Sequence, residues 1–121
     1  MLTGARGETL AAQHLETLGF RVVARNHRCP RGEVDLIVEK GQLLVFVEVR
    51  TRAPGRMGDP EDTVWSAKQQ RVVRAARDYL AKHDVRDREL RFDVIGIVDG
   101  PGAARVTHLP NAFDAGDTFT L

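Results

Sequence analysis

A chain of 121 residues, 42% apolar and 29% charged, has the size and balance of one soluble domain spanning 1–121, able to bury about two-thirds of its unfolded surface. A formal net charge of +1 singles out neither a nucleic-acid nor a membrane partner. The single Cys29 excludes an internal disulfide, the four histidines show no zinc-ligand spacing, and no membrane-spanning run or signal peptide is evident, so a reducing, cytoplasmic setting is expected.

In chain order, Thr3–Leu18 reads as an amphipathic helix that Gly19 ends. Phe20–Asn26 reads as a strand, and Glu33–Lys40 and Leu43–Thr51 as two more, joined in a hairpin around Gly41. Ala53–Glu61 carries the Pro and Gly of a loop, and Thr63–His83 has the pattern of a second helix. A strand over Leu90–Val98, a turn at DGPG and a short strand near Arg105–Leu109 complete the chain. The order αβββαβ, with a helix between the third and fourth strands, predicts an α/β fold. Its mixed central sheet would be flanked by helices and closed by a right-handed crossover.

Charge is unevenly spread. Basic residues cluster over 21–31, 50–56 and 68–77, while the tail carries Asp99, Asp114 and Asp117. The preference for Arg over Lys suits bidentate phosphate contacts and equally suits a compositional bias of the genome.

The hairpin holds the informative anomaly, because acids interrupt runs otherwise built for a core. Alternation puts Val34, Leu36 and Val38 on one face of its first strand and Glu33, Asp35 and Ile37 on the other. In its second strand Val45, Val47 and Val49 oppose Leu44, Phe46, Glu48 and Arg50. A two-residue turn of Gly41 and Gln42 pairs Lys40 with Leu43, which sets Asp35 opposite Glu48 and Glu33 opposite Arg50. A Lys40–Gly41 turn shifts the pairing by two but keeps the same faces together, and a three-residue loop would separate them unless a bulge intervened. With either two-residue turn, three acids and an arginine share one patch at one end of the sheet. Ion pairs on a solvated face would explain the charges alone. Against that stand the Leu44 and Phe46 side chains on the same face and the cost of placing carboxylates side by side. Paired carboxylates suit Mg²⁺, which takes hard oxygen ligands and can activate water at a phosphate.

Both helices have a charged residue near the buried arc. On the first, Ala11, Leu15 and Leu18 form the apolar stripe and Glu8 lies at its edge, as a candidate ligand or as an ordinary first-turn acid stabilised by the helix dipole. Gly4 and Gly7 beside it would allow a close backbone approach. On the second, Val64, Val72, Ala75 and Tyr79 make the arc, with Lys68 near its centre and Arg71 at its margin. Lys68 either snorkels to water or aims its amine at the acids or a bound phosphate. Trp65 falls on the arc as a core residue, and Arg74 and Arg77 face outward.

The ordered segments GARGETLAAQHL, GEVDLI, FVEVRTR, GDPEDTV, KQQRVVRAA and RFDVI together resemble the YraN family of small bacterial proteins, of the restriction-endonuclease-like PD-(D/E)XK superfamily. The resemblance covers nearly the whole chain and implies that superfamily's αβββαβ core. It implies Asp35 and Glu48 as ligands of a catalytic Mg²⁺, with Mn²⁺ as a substitute, and Glu8 as the acid that completes the site. Arg50 stands where the superfamily usually has a catalytic lysine. Always protonated, it can stabilise charge in the transition state but cannot act as a base. The implied activity is metal-assisted hydrolysis of DNA phosphodiesters, with branched substrates suggested by a kinship to Holliday-junction resolvases, which often act as dimers. Lys68, Arg71, Arg52 and Arg56 would contact phosphates. The alternative is a non-catalytic module that binds nucleic acid or docks on a DNA-processing partner. Asp93 of RFDVI, in an otherwise apolar strand, is expected to pair with a nearby Arg.

Overall fold

The computed structural model describes residues 4–52, 62–83, 85–100 and 102–115, with the side chains of 62–65 outside that description. It has the element order α1 (Gly4–Thr17), β1 (Arg21–Cys29), β2 (Gly32–Lys40), β3 (Leu43–Arg52), α2 (Asp62–Lys82), β4 (Glu89–Val98) and β5 (Arg105–Phe113). The five strands form one mixed sheet in the order β1-β2-β3-β4-β5, antiparallel throughout except for the parallel pair β3–β4 on either side of α2. This is the α/β architecture that the alternation of elements predicts. The loop expected over 53–61, and with it Arg56, lies outside the described residues.

Each helix covers one face. Under α1, Ala11, Ala12 and Leu15 pack with Leu36, Val38, Val45, Val47, Ile95 and Ile97. Under α2, Val72, Ala75 and Ala76 pack with Ile37, Leu44, Phe46 and Phe92. Leu18, assigned by periodicity to the buried stripe of α1, is 42% exposed. The helix has ended before it: Gly19 N–H bonds Glu16 O and Phe20 N–H bonds Leu15 O, a Schellman stop that buries Phe20 against Leu15 instead.

The hairpin turn is the two-residue one, with Gly41 at φ 58 and Lys40 paired with Leu43. Pairing then runs back only as far as Leu36↔Val47. Beyond it β3 stays bound to β4 out to Arg52↔Val98, whereas β2 follows β1 out to Cys29↔Gly32. The sheet therefore opens between β2 and β3. Val34 consequently departs from its expected face and packs with Ile37 under α2, not with Leu36. The alternation lapses at Asp35, where β2 leaves β3 and the neighbouring Asn26 of β1 takes φ 52.

Contact between α2 and the opened end is tight. A Cβ on Gly32 would lie 2.8 Å from Ala75 N and 3.0 Å from Arg71 O. Those neighbours are backbone and cannot rotate away. Gly32→Ala is expected to cost about 1–3 kcal/mol by overpacking, read as a lower midpoint in urea unfolding. A midpoint equal to wild type would show that α2 is not held at this contact.

Candidate acidic cleft

The opening between β2 and β3 is where the acids meet. With no β2 backbone partner left for it, the Val49 N–H donates to Asp35 Oδ2 at 2.7 Å. That bond draws the Asp35 carboxylate beside Glu48, which projects from β3 on the face shared by Phe46. Burial pushes the Glu48 carboxyl up to about 8, and the adjoining Asp35, in both charge and hydrogen bonding, pushes the same way. Lys68 and Arg50 oppose the rise without cancelling it. Near neutral pH Glu48 therefore keeps its proton beside Asp35.

Arg50 is half-buried two residues beyond Glu48, opposite Gly96 in the β3–β4 ladder, and two of its guanidinium nitrogens are buried. Glu33, Glu48, Lys68 and Arg71 line a cleft of about 180 Å³. Lys68 is exposed, not central to a buried stripe. The core-facing stripe of α2 is occupied by Val72, Ala75 and Ala76, one turn and more further on, so Lys68 overlooks the cleft and not the hydrophobic core. Glu33 also departs from its expected place. Because pairing with β3 stops at Leu36, Glu33 is not opposite Arg50 but bonds Arg28, its partner across β1–β2.

Glu8 is held by partners from β1. Gly7 brings α1 so close to Thr51 that a Cβ would lie 2.1 Å from its Oγ1. The Glu8 carboxylate is engaged by Asn26 Nδ2 at 3.0 Å and by Arg25 at 3.7 Å. Asn26 lies on β1 between the registered pairs Arg25↔Leu36 and His27↔Val34, next to the position of Asp35 on β2. Among the described residues, no three His, Cys, Asp or Glu side chains group as metal ligands. Arg52 closes the β3 ladder opposite Val98. Asn26 and the Val49 amide are contributors that strand periodicity does not reveal, since both act where the regular ladder stops.

Asp93 has the structural role expected of it. Fully buried on β4, it receives Arg91 Nε and Nη2 at 2.8 and 2.9 Å, His108 Nε2 at 2.7 Å and the Asn111 N–H at 2.9 Å. Burial is the largest single influence and would raise its proton affinity. The bonds from Arg91, Asn111 and His108 together outweigh it and hold the carboxyl below its ordinary range.

No helix among the described residues is long and apolar enough to cross a membrane. The sequence pattern of the uncharacterised protein family UPF0102 matches residues 7–97. A UPF0102 protein of Anaeromyxobacter dehalogenans is 50% identical over 111 residues, 92% of this chain and 83% of that one. A UPF0102 protein of Myxococcus xanthus is 50% identical over 113 residues, covering 93% of this chain and 90% of that protein. UPF0102 protein GSU0650 of Geobacter sulfurreducens is 44% identical over 114 residues, 93% of this chain and 89% of its own length. With the match running through both helices and the first four strands, the chain belongs to the uncharacterised protein family UPF0102, the YraN group that its motifs resemble.

Proposed function

We propose that the chain is a divalent-metal-dependent endonuclease of the PD-(D/E)XK type, hydrolysing phosphodiesters of DNA, branched DNA among them. The observation that carries this reading is Glu48, beside Asp35 and buried enough to keep its proton, in a cleft lined with Lys68 and Arg71. Two adjoining carboxylates fit Mg²⁺ or Mn²⁺, which takes hard oxygen donors and can replace the proton that Glu48 holds. Bound there, the ion supplies Lewis-acid stabilisation of the phosphate and lowers the pKa of a water.

The rest falls to the protein. At about 30 Å³ per water, the cleft admits one phosphate group and a few solvent molecules. Lys68 and Arg71 seat a phosphate over Glu48, because bare carboxylates alone would repel it. Arg50, fixed by the β3–β4 ladder and always charged, offsets negative charge as it develops on the phosphate oxygens. Arg52 continues the cationic edge beyond the cleft, and Glu8 braces the site through Asn26.

The test is cleavage of branched, duplex and single-stranded DNA with Mg²⁺ or Mn²⁺. Asp35→Ala and Glu48→Ala are each expected to lose at least about a hundredfold in rate, the loss of a few kcal/mol of transition-state stabilisation. Lys68→Ala and Arg71→Ala should each lower the salt slope of DNA binding by about 1. If the wild-type chain cuts none of these substrates, or Glu48→Ala cuts as fast as wild type, the reading fails. The second reading, a DNA-binding or adaptor module, is favoured by Arg50 in the usual lysine position and by the engagement of Glu8 with Asn26 and Arg25. It predicts DNA binding that survives Asp35→Ala and needs no Mn²⁺.

A further inference from the structure

Away from the acidic cleft, two histidines 94 residues apart in sequence meet on the α1 face of the sheet. His14 lies in the last turn of α1 and His108 on β5, with His14 Nε2 3.3 Å from His108 Nδ1 and the rings at 84° to one another. The other nitrogen of His108, Nε2, is 2.7 Å from the fully buried Asp93 carboxylate. An ionised carboxylate only accepts, so Nε2 carries the proton, and the lone pair of His108 is on Nδ1, toward His14. Asp93 is itself immobilised by Arg91 and the Asn111 amide.

Two imidazole nitrogens on one tetrahedral zinc ion stand about 3.3–3.4 Å apart, given Zn–N bonds of about 2.0–2.1 Å. A carboxylate behind a liganding imidazole is the usual device for fixing its tautomer and raising its basicity. We propose that His14 Nε2 and His108 Nδ1 form a second metal site, for a borderline transition-metal ion of the zinc, nickel or copper class. To receive the ion, His14 moves its proton from Nε2 to Nδ1, so the hydrogen bond to His108 gives way to coordination without net proton loss. His14 is only partly buried, which leaves the remaining coordination positions to water. Asp93 stands behind His108 and not beside the ion. Imidazole nitrogen selects against Mg²⁺, so the pair does not compete with the acidic cleft for its ion. A bound ion joins the end of the first helix to the last strand.

Zn²⁺ titration of chelator-stripped full-length protein tests this, followed by calorimetry and by the ¹⁵N shifts of the histidine rings. One equivalent should bind in the Asp35→Asn, Glu48→Gln background, moving the His14 Nε2 and His108 Nδ1 resonances; a second equivalent in wild type would be the acidic cleft's. His14→Ala, at a partly exposed helix position, should weaken binding at least about tenfold, whereas Asp35→Asn with Glu48→Gln should leave it unchanged. Absent uptake, uptake that His14→Ala leaves intact, or uptake lost only with Cys29→Ser or the Asp35/Glu48 changes would each overturn the site. His108→Ala is less informative, because it also removes a bond to Asp93.

Discussion

Metal-free Glu48→Gln protein should be more stable than the wild-type chain at pH 9, by an amount on the order of 3 kcal/mol, and equal to it near pH 4. The sign follows from where the proton sits. In the folded chain the Glu48 carboxyl is pushed from 4.5 up to about 8, while in the unfolded chain it ionises at its ordinary value. Between those values the folded state binds more protons than the unfolded one, so wild-type stability falls as pH rises through that window and levels off above it. A glutamine has no proton to lose and escapes the fall. Adding Mg²⁺ or Mn²⁺ should reverse the ranking at pH 9, because only the wild-type pair gains a ligand. Chemical unfolding at pH 4, 7 and 9, with and without metal, measures both effects. Parallel stability curves for the two proteins would mean that Glu48 does not keep its proton in the folded chain.

The largest loss of stability is expected from Asp93→Ala. This carboxylate has no exposed surface and takes four hydrogen bonds, from the Arg91 guanidinium, His108 and the Asn111 amide. Removing it strands those donors at a buried site, which typically costs 3–5 kcal/mol. Of a net stability of about 5–15 kcal/mol for a domain of this size, that is a large share. Asp93→Asn keeps the shape and one acceptor oxygen and should cost roughly half as much. Guanidinium unfolding reads both, and an Asp93→Ala chain within about 1 kcal/mol of wild type would show that Arg91 and His108 find other partners.

How much of this was legible in the sequence depends on how local its cause is. The register next to the turn was, because a two-residue turn of Gly41 and Gln42 is one of the few that Gly41 allows, and it holds from Lys40↔Leu43 back to Leu36↔Val47. That Asp93 would pair with a nearby Arg was too, and the partner is Arg91, two residues back on the same face of β4. The point at which β2 leaves β3 was not. It reflects a choice between two neighbours, β1 and β3, and Val34 and Glu33 changed company with it. Lys68 was misplaced for a related reason. A helical wheel gives a direction but not how far along the helix the underlying core extends. Within β1 and β5, each longer than the sequence suggested, Asn26 and Asn111 take positive φ without ending the strand. The meeting of His14 and His108 is tertiary throughout, and no spacing rule finds it.

Those same irregularities bear on how a second copy of the chain could attach. A sheet with two free edges invites strand-by-strand addition, the route to runaway association. Here β1 carries a bulge between Val22 and Ala24, the left-handed Asn26 and the exposed Arg21, Arg25 and Arg28. Edge strand β5 has Pro110, with no N–H to donate, next to the left-handed Asn111, and the β4–β5 pairing slips between Phe92 and Val94. Neither rim offers a long flat row of free amides and carbonyls. Among the described residues, β1 and β5 thus make poor templates for adding a sixth strand.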